Sequence, residues 1–151
     1  MKFQESNNYD FWANKVVLET MAFHPRDNKV DELFHHVLSA SELWYWRLFG
    51  DLKPWNENDD PNLFYPRTID IAHRLNDLIT SQNSNTLDEL FSFKTLIGEV
   101  KQAKRQDVLH HVFNHATHHR AQILMRWSEI NIPRPAMDYI YYVWNHAKSE
   151  E

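Results

Sequence analysis

Cysteine is absent from the 151-residue chain, which excludes disulfides, thiolate zinc sites, iron–sulfur clusters and a cysteine nucleophile. Glycine occurs only twice, arguing against a glycine-rich phosphate loop and a many-turned β fold. Positive charge is in deficit: sixteen Lys and Arg face twenty-one Asp and Glu, a formal charge of −5. A field of that sign repels phosphate backbones, so no nucleic-acid partner is expected. Lys101, Lys104 and Arg105 read as the solvated start of a helix, not as a basic stripe. No apolar run approaches the ~20 residues of a membrane span. Met1 to Glu5 lack the apolar centre and cleavage site of a secretory leader. The expectation is a soluble, cytoplasmic protein with no membrane partner.

Against these absences, hydrophobic residues make up 42% and charged residues 25%, the balance of a folded chain. The length suits one domain spanning 1–151, large enough to need no covalent staple. Histidine occurs ten times, and five of the ten fall between His110 and His119. A histidine cluster without cysteine points toward an imidazole metal site.

The spacing of Tyr9, Trp12, Val16 and Met21 predicts a helix over 5–22, ended by His24-Pro25. Asp27 or Asn28 caps a second helix that runs to Leu48, and Gly50 closes it. Residues 51–66 hold three prolines and many Asn and Asp, and read as a long loop. Thr68 then caps a helix through Ile79, and a polar stretch follows at 81–86. Residues 87–104, around Gly98, fit a short hairpin or an irregular arm. A strong helix is expected over 106–130, with Asp107 near its start. After the break at Asn131 to Pro135, a last helix covers about 136–146. The fold class is all-α: a four-helix bundle with long loops and a short additional C-terminal helix.

On the 106–130 helix, Leu109, Val112, Phe113, Ala116, Ile123, Leu124 and Trp127 share a broad apolar face. His115 and His119 stand four apart at its border, close enough for two imidazoles to reach one ion. An HExxH zinc helix uses the same spacing, but Ala116 stands where that motif carries its glutamate base. A catalytic metal site takes three protein ligands and leaves a position open. His36 falls inside the Leu33, Val37, Ala40, Trp44, Leu48 stripe of the second helix and is the candidate third ligand, while His35 turns toward a flank. The competing reading makes each of these a hydrogen-bonded core histidine. In either case His110, His111 and His118 are solvated or brace their neighbours. Spacing alone leaves both readings open.

Several segments also carry a resemblance. His111-Val-Phe-Asn-His-Ala-Thr-His-His-Arg-Ala-Gln-Ile123 resembles the HVxNHxxxHRGQ signature of the DinB-like (DNA-damage-inducible) family. Leu33-Phe-His-His-Val-Leu-Ser-Ala-Ser-Glu-Leu-Trp44 resembles that family's L-x-x-H-[IV]-L-x-A-x-x-x-W pattern. Tyr9-Asp-Phe-Trp-Ala-Asn14 resembles its first-helix element, and Pro135-Ala-Met-Asp-Tyr-Ile140 its proline turn and closing helix. The one departure is Ala121, where the family often has glycine; it leaves the ligand assignment intact.

The resemblance implies a four-helix bundle, commonly dimeric, that binds a divalent metal through three histidines: here His36, His115 and His119. Three imidazoles suit Zn, Ni, Fe or Cu, and Zn or Ni is the expected ion. Relatives include transferases that use bacillithiol, mycothiol or glutathione-like thiols, so the implied activity is transfer of a low-molecular-weight thiol to a small-molecule electrophile. The alternatives are metal-dependent hydrolysis and a non-catalytic stress-response or interaction protein. Hydrolysis requires a general base, and neither Asp138 nor Glu42, which is rotated away from His36, is assigned that role. A fourth protein ligand, such as His111 or His118, would favour a structural metal. Arg120 and Gln122 are expected to line or brace the site. Trp12, Trp44 and Trp127 sit at core spacing, whereas Tyr139, Tyr141, Tyr142 and Trp144 cover several faces of the last helix and suggest a homodimer contact.

Overall fold

The structure is a computed structural model that describes residues 2–51 and 53–147. In chain order it runs α1 (Lys2–Phe23), α2 (Asn28–Phe49), a 3-10 turn (Pro61–Leu63), α3 (Phe64–Thr80), the short α4 (Ser84–Asp88), β1 (Leu90–Lys94), β2 (Val100–Lys104), α5 (Arg105–Glu129) and α6 (Tyr139–Ala147). Helices dominate, as expected. The all-α expectation needs one amendment, because β1 and β2 pair antiparallel as a hairpin. Its turn is closed by Thr95 N–H donating to the Glu99 carbonyl at 2.8 Å, and Gly98 supplies the positive φ of 85°. Lys101 and Lys104 therefore belong to a strand, not to a helix start.

The chemistry of the helix ends explains where they fall. The Asp27 carboxylate accepts from the Val30 amide at 3.1 Å, and Gly50 closes α2 in the left-handed region at φ 95°. Thr68 is not a cap. α3 begins four residues earlier, and the buried Thr68 hydroxyl donates to the Phe64 carbonyl at 2.7 Å. Pro61 and Pro66 lie in the opening turns of the 3-10 and α segments. There a missing N–H leaves no hydrogen bond unmade, so these prolines start the helix instead of breaking it. The last helix begins at Tyr139, not 136, after a run without regular structure through Pro133 and Pro135.

α2 packs against both α3 and α5, while α1 lies across α3 and α5 and carries α6. Phe34, Leu38, Phe64, Leu75, Ile123 and Trp127 are fully buried where α2, α3 and α5 meet. Each such side chain stabilises the fold by about 1.5–3 kcal/mol relative to leaving it in water. Because α2 is covered on two sides, its buried arc centres on Phe34, Leu38 and Tyr45. Leu33 and Trp44, placed inside the stripe by periodicity, are only half-buried at its edge.

α1 departs further from expectation. Tyr9, Trp12 and Val16 are half-buried, and the inward face carries Asn7, Asp10 and Asn14. Their partners satisfy them: Asn7 Nδ2 donates to the Ala72 carbonyl at 3.0 Å, and Arg120 binds both Asp10 and Asn14. On α6 only Tyr142 among the aromatics is buried; Tyr139, Tyr141 and Trp144 are exposed. No described helix is long and apolar enough to cross a membrane.

Candidate metal centre

His36 comes from α2, and His115 and His119 stand one turn apart on the facing side of α5. Their ring nitrogens converge. His36 Nε2 lies 3.3 Å from His115 Nε2, and His119 Nε2 lies 3.1 Å from the same atom. All three candidate ligand atoms fall within 4.8 Å of one another. Each ring is half-buried. His36 is therefore at the border of the α2 core face, not inside it, for the reason just given: contact with α3 shifts the centre of that face.

Electrostatics make the cluster suited to a cation. Burial, and after it the neighbouring rings, holds the His36 and His115 pKa values down, and that of His115 is pushed to about 4. Both are neutral at neutral pH, the form in which imidazole ligates. His119 Nδ1 lies 2.7 Å from the Gln122 amide oxygen. That oxygen can only accept, so the contact calls for a proton on Nδ1 and leaves Nε2 facing the cluster. Neutral imidazoles whose lone pairs face one another at this range repel unless a proton or cation lies between them. Nitrogens bound at ~2.0–2.1 Å to a tetrahedral ion stand about 3.3 Å apart. The His115–His119 and His36–His115 spacings, 3.1 and 3.3 Å, fit that arrangement.

The remaining histidines do other work. His35 Nδ1 lies 3.0 Å from Arg67 Nη1 and its Nε2 lies 3.3 Å from Ser39 Oγ, which places it in a separate network. Arg67 is the hub of that network: it binds Glu42 at 2.7 Å, donates to Ser39 Oγ at 2.9 Å and donates to the Asn58 carbonyl at 3.1 Å. Asn56 Nδ2 also donates to Glu42 at 2.7 Å, so the loop before the 3-10 turn is anchored to α2 and α3. His111 packs edge-on against Trp44, with ring centroids 5.1 Å apart, and the exposed His118 ring lies beside His119. Neither joins the cluster among the described residues. His110 rests on Phe3.

Arg120 and Gln122 divide the role expected of both. Gln122 braces a ligand. Arg120 is buried and locks α5 to α1 through Asp10 and Asn14. Burial raises the Tyr9 pKa, with the nearby Asp138 charge a minor contributor, which places Asp138 on the α1 side of the molecule. Trp55, with its ring centroid 5.5 Å from that of His36, is a neighbour that sequence reasoning missed. It lies in a loop without periodicity, where no pattern assigns a residue to a face. One flank of the cluster, lined by His36 and His115, opens onto a groove of about 400 Å³.

Fold and cluster together define a predominantly helical protein with three histidines gathered from two helices. The chain belongs to the DinB family, whose family model matches residues 23–151. The match takes in α2 through α6 and leaves most of α1, including Tyr9 to Asn14, outside. No curated protein and no solved structure matches the chain.

Proposed function

We propose that this DinB-family chain is a metal-dependent transferase that joins a low-molecular-weight thiol to a small electrophile. The observation that carries the proposal is the convergence of the His36, His115 and His119 Nε2 atoms beside an open groove. In this reading the three imidazoles hold a divalent ion of the kind imidazole donors suit, with Zn or Ni the expected choice. Bound there, such an ion supplies Lewis acidity that lowers the pKa of a thiol.

The chain's own residues set the conditions for the chemistry. Gln122 orients the His119 ring, burial holds the His36 and His115 pKa values down, and Trp55 stands beside His36. The thiol releases its proton to solvent, its sulfur bonds to the electrophilic carbon, and the leaving group departs with its electron pair. The four long helices correspond in this proposal to the family's bundle, in a single domain, with the exposed aromatics of α6 meeting a second copy.

Two features weigh against the alternatives. Hydrolysis needs a free general base, and Glu42 is already engaged by Arg67 and Asn56. A purely structural metal favours a fourth protein ligand, and among the described residues none joins the three. The test is an assay of the zinc- and nickel-loaded protein with several low-molecular-weight thiols and chlorodinitrobenzene. Thioether formation that disappears on chelation is expected. No turnover with any thiol would count against the transferase reading.

A further inference from the structure

Six arginines are at least half-buried: Arg47, Arg67, Arg74, Arg105, Arg120 and Arg126. Five of them have a carboxylate within 4.0 Å: Glu42, Asp70, Glu89, Asp10 and Asp27 respectively for Arg67, Arg74, Arg105, Arg120 and Arg126. Among the described residues Arg47 is the exception. Its guanidinium lies over the Trp44 ring at 4.4 Å and near Phe93 at 5.4 Å, and donates one hydrogen bond, to the Lys94 carbonyl at 2.9 Å. Burial without an anion holds its pKa below the ordinary arginine value. A half-buried cation with no carboxylate partner among the described residues is an uncommon arrangement, and it lines the same groove as His36 and His115.

Apart from Thr95, the rest of the groove is apolar. Trp44 and Phe93 meet edge-to-face at 5.0 Å on the Arg47 side, and Trp55 stands at the His36 end. Leu96 and Ile97, at the tip of the β1–β2 hairpin, are 67% and 83% exposed along its rim. Side chains this apolar left in water beside a lone guanidinium describe a site with two demands: a flat or branched hydrocarbon body, and one anionic group of planar geometry.

We propose that this groove binds a small aromatic carboxylate. Arg47 receives the carboxylate through its free N–H groups. Trp44, Phe93 and Trp55 cover the ring, and the far end of the molecule lies against His36 and His115. The inference rests on the transferase reading only for naming the bound acid as the electrophile. Binding itself is a property of the groove and survives removal of metal.

The experiment is titration of the chelator-treated protein with 1-naphthaleneacetate and with its neutral analogue 1-naphthaleneacetamide, read by tryptophan fluorescence and calorimetry. The acid is expected to bind at least tenfold more tightly than the amide. Arg47→Met, which keeps the apolar stem, should abolish that preference, and Arg47→Lys should retain part of it. Phe93→Ala should weaken both probes by a similar factor. Equal binding of acid and amide to the parent overturns the proposal without use of any variant. So does binding of neither probe, as expected if a second copy of the chain covers the groove. A preference that appears only with metal present and persists in Arg47→Met belongs to the histidine centre and also overturns it. Failure of thiol transfer alongside a retained acid preference would sink the transferase reading and leave the groove assignment standing.

Discussion

The Gln122 amide oxygen lies 2.7 Å from His119 Nδ1, three residues back along α5, and sets which nitrogen of that ring faces the cluster. Gln122 is itself exposed and contributes little to packing. We expect Gln122→Ala to leave the unfolding curve of the metal-free protein unchanged while weakening metal affinity about 10- to 100-fold, the usual effect of losing a group that orients a ligand. Competition against a chromophoric chelator measures it. Parent-like affinity would mean that the contact is incidental.

Arg120 and Asp10 form an ion pair whose side chains are 3% and 6% exposed. Removing one partner strands the other charge away from water. Asp10→Ala should therefore cost about 3–5 kcal/mol in urea unfolding, and Arg120→Met a comparable amount. The double variant should lose less than the two single losses combined, because no lone charge remains. Strict additivity would show that the two residues act independently.

That pair also marks the limit of what hydrophobic periodicity can reveal. The apolar face of α5 was legible because Leu109, Val112, Ala116 and Trp127 repeat at helical spacing and are buried. The inward face of α1 was not, because Asn7, Asp10 and Asn14 read as solvent-facing until Ala72 and Arg120 are placed opposite them. The i, i+4 spacing on α5 and the position of His36 on α2 pointed to the three histidines that the fold brings together, while spacing alone left ligand and core readings open. Trp55 and Arg67 were not, since a loop carries no period and Arg67 lay next to prolines that looked like breakers. At Tyr9 to Asn14, Tyr9 donates to the Met137 carbonyl at 2.7 Å, and Asp10 and Asn14 hold Arg120.

Asp27 has two duties, capping α2 through the Val30 amide and pairing with Arg126 at 2.9 Å near the end of α5. The Arg126 hydrogen bond, with help from the backbone amides, holds its pKa below the ordinary 3.8. A carboxyl whose folded pKa is depressed adds stability that is fully present above its unfolded pKa and lost as pH falls through the folded one. We expect Asp27→Ala to cost about 1–2 kcal/mol near neutral pH. We also expect the difference between parent and variant to shrink as pH drops below about 4. A gap that stayed constant from pH 7 to pH 2 would rule out the ionised pair as its source.

Arg67 ties the 53–60 segment to the rest of the fold through Asn58 and, by way of Glu42, through Asn56. Arg67→Ala should free that segment while the helices persist. Limited proteolysis should then cut within 53–60 several-fold faster, and Trp55 emission should move to longer wavelength. Parent-like cleavage would place the anchor elsewhere.

Elemental analysis of the untagged protein tests the three-histidine centre most directly, run beside His36→Ala, His115→Ala and, as a histidine outside the cluster, His110→Ala. We expect about one divalent ion per chain in the parent and in His110→Ala, and essentially none in the other two, with all four proteins helical by circular dichroism. No metal in the parent after exposure to Zn2+ and Ni2+, or full occupancy in both His36→Ala and His115→Ala, would contradict the site and leave these imidazoles a packing feature of α2 against α5.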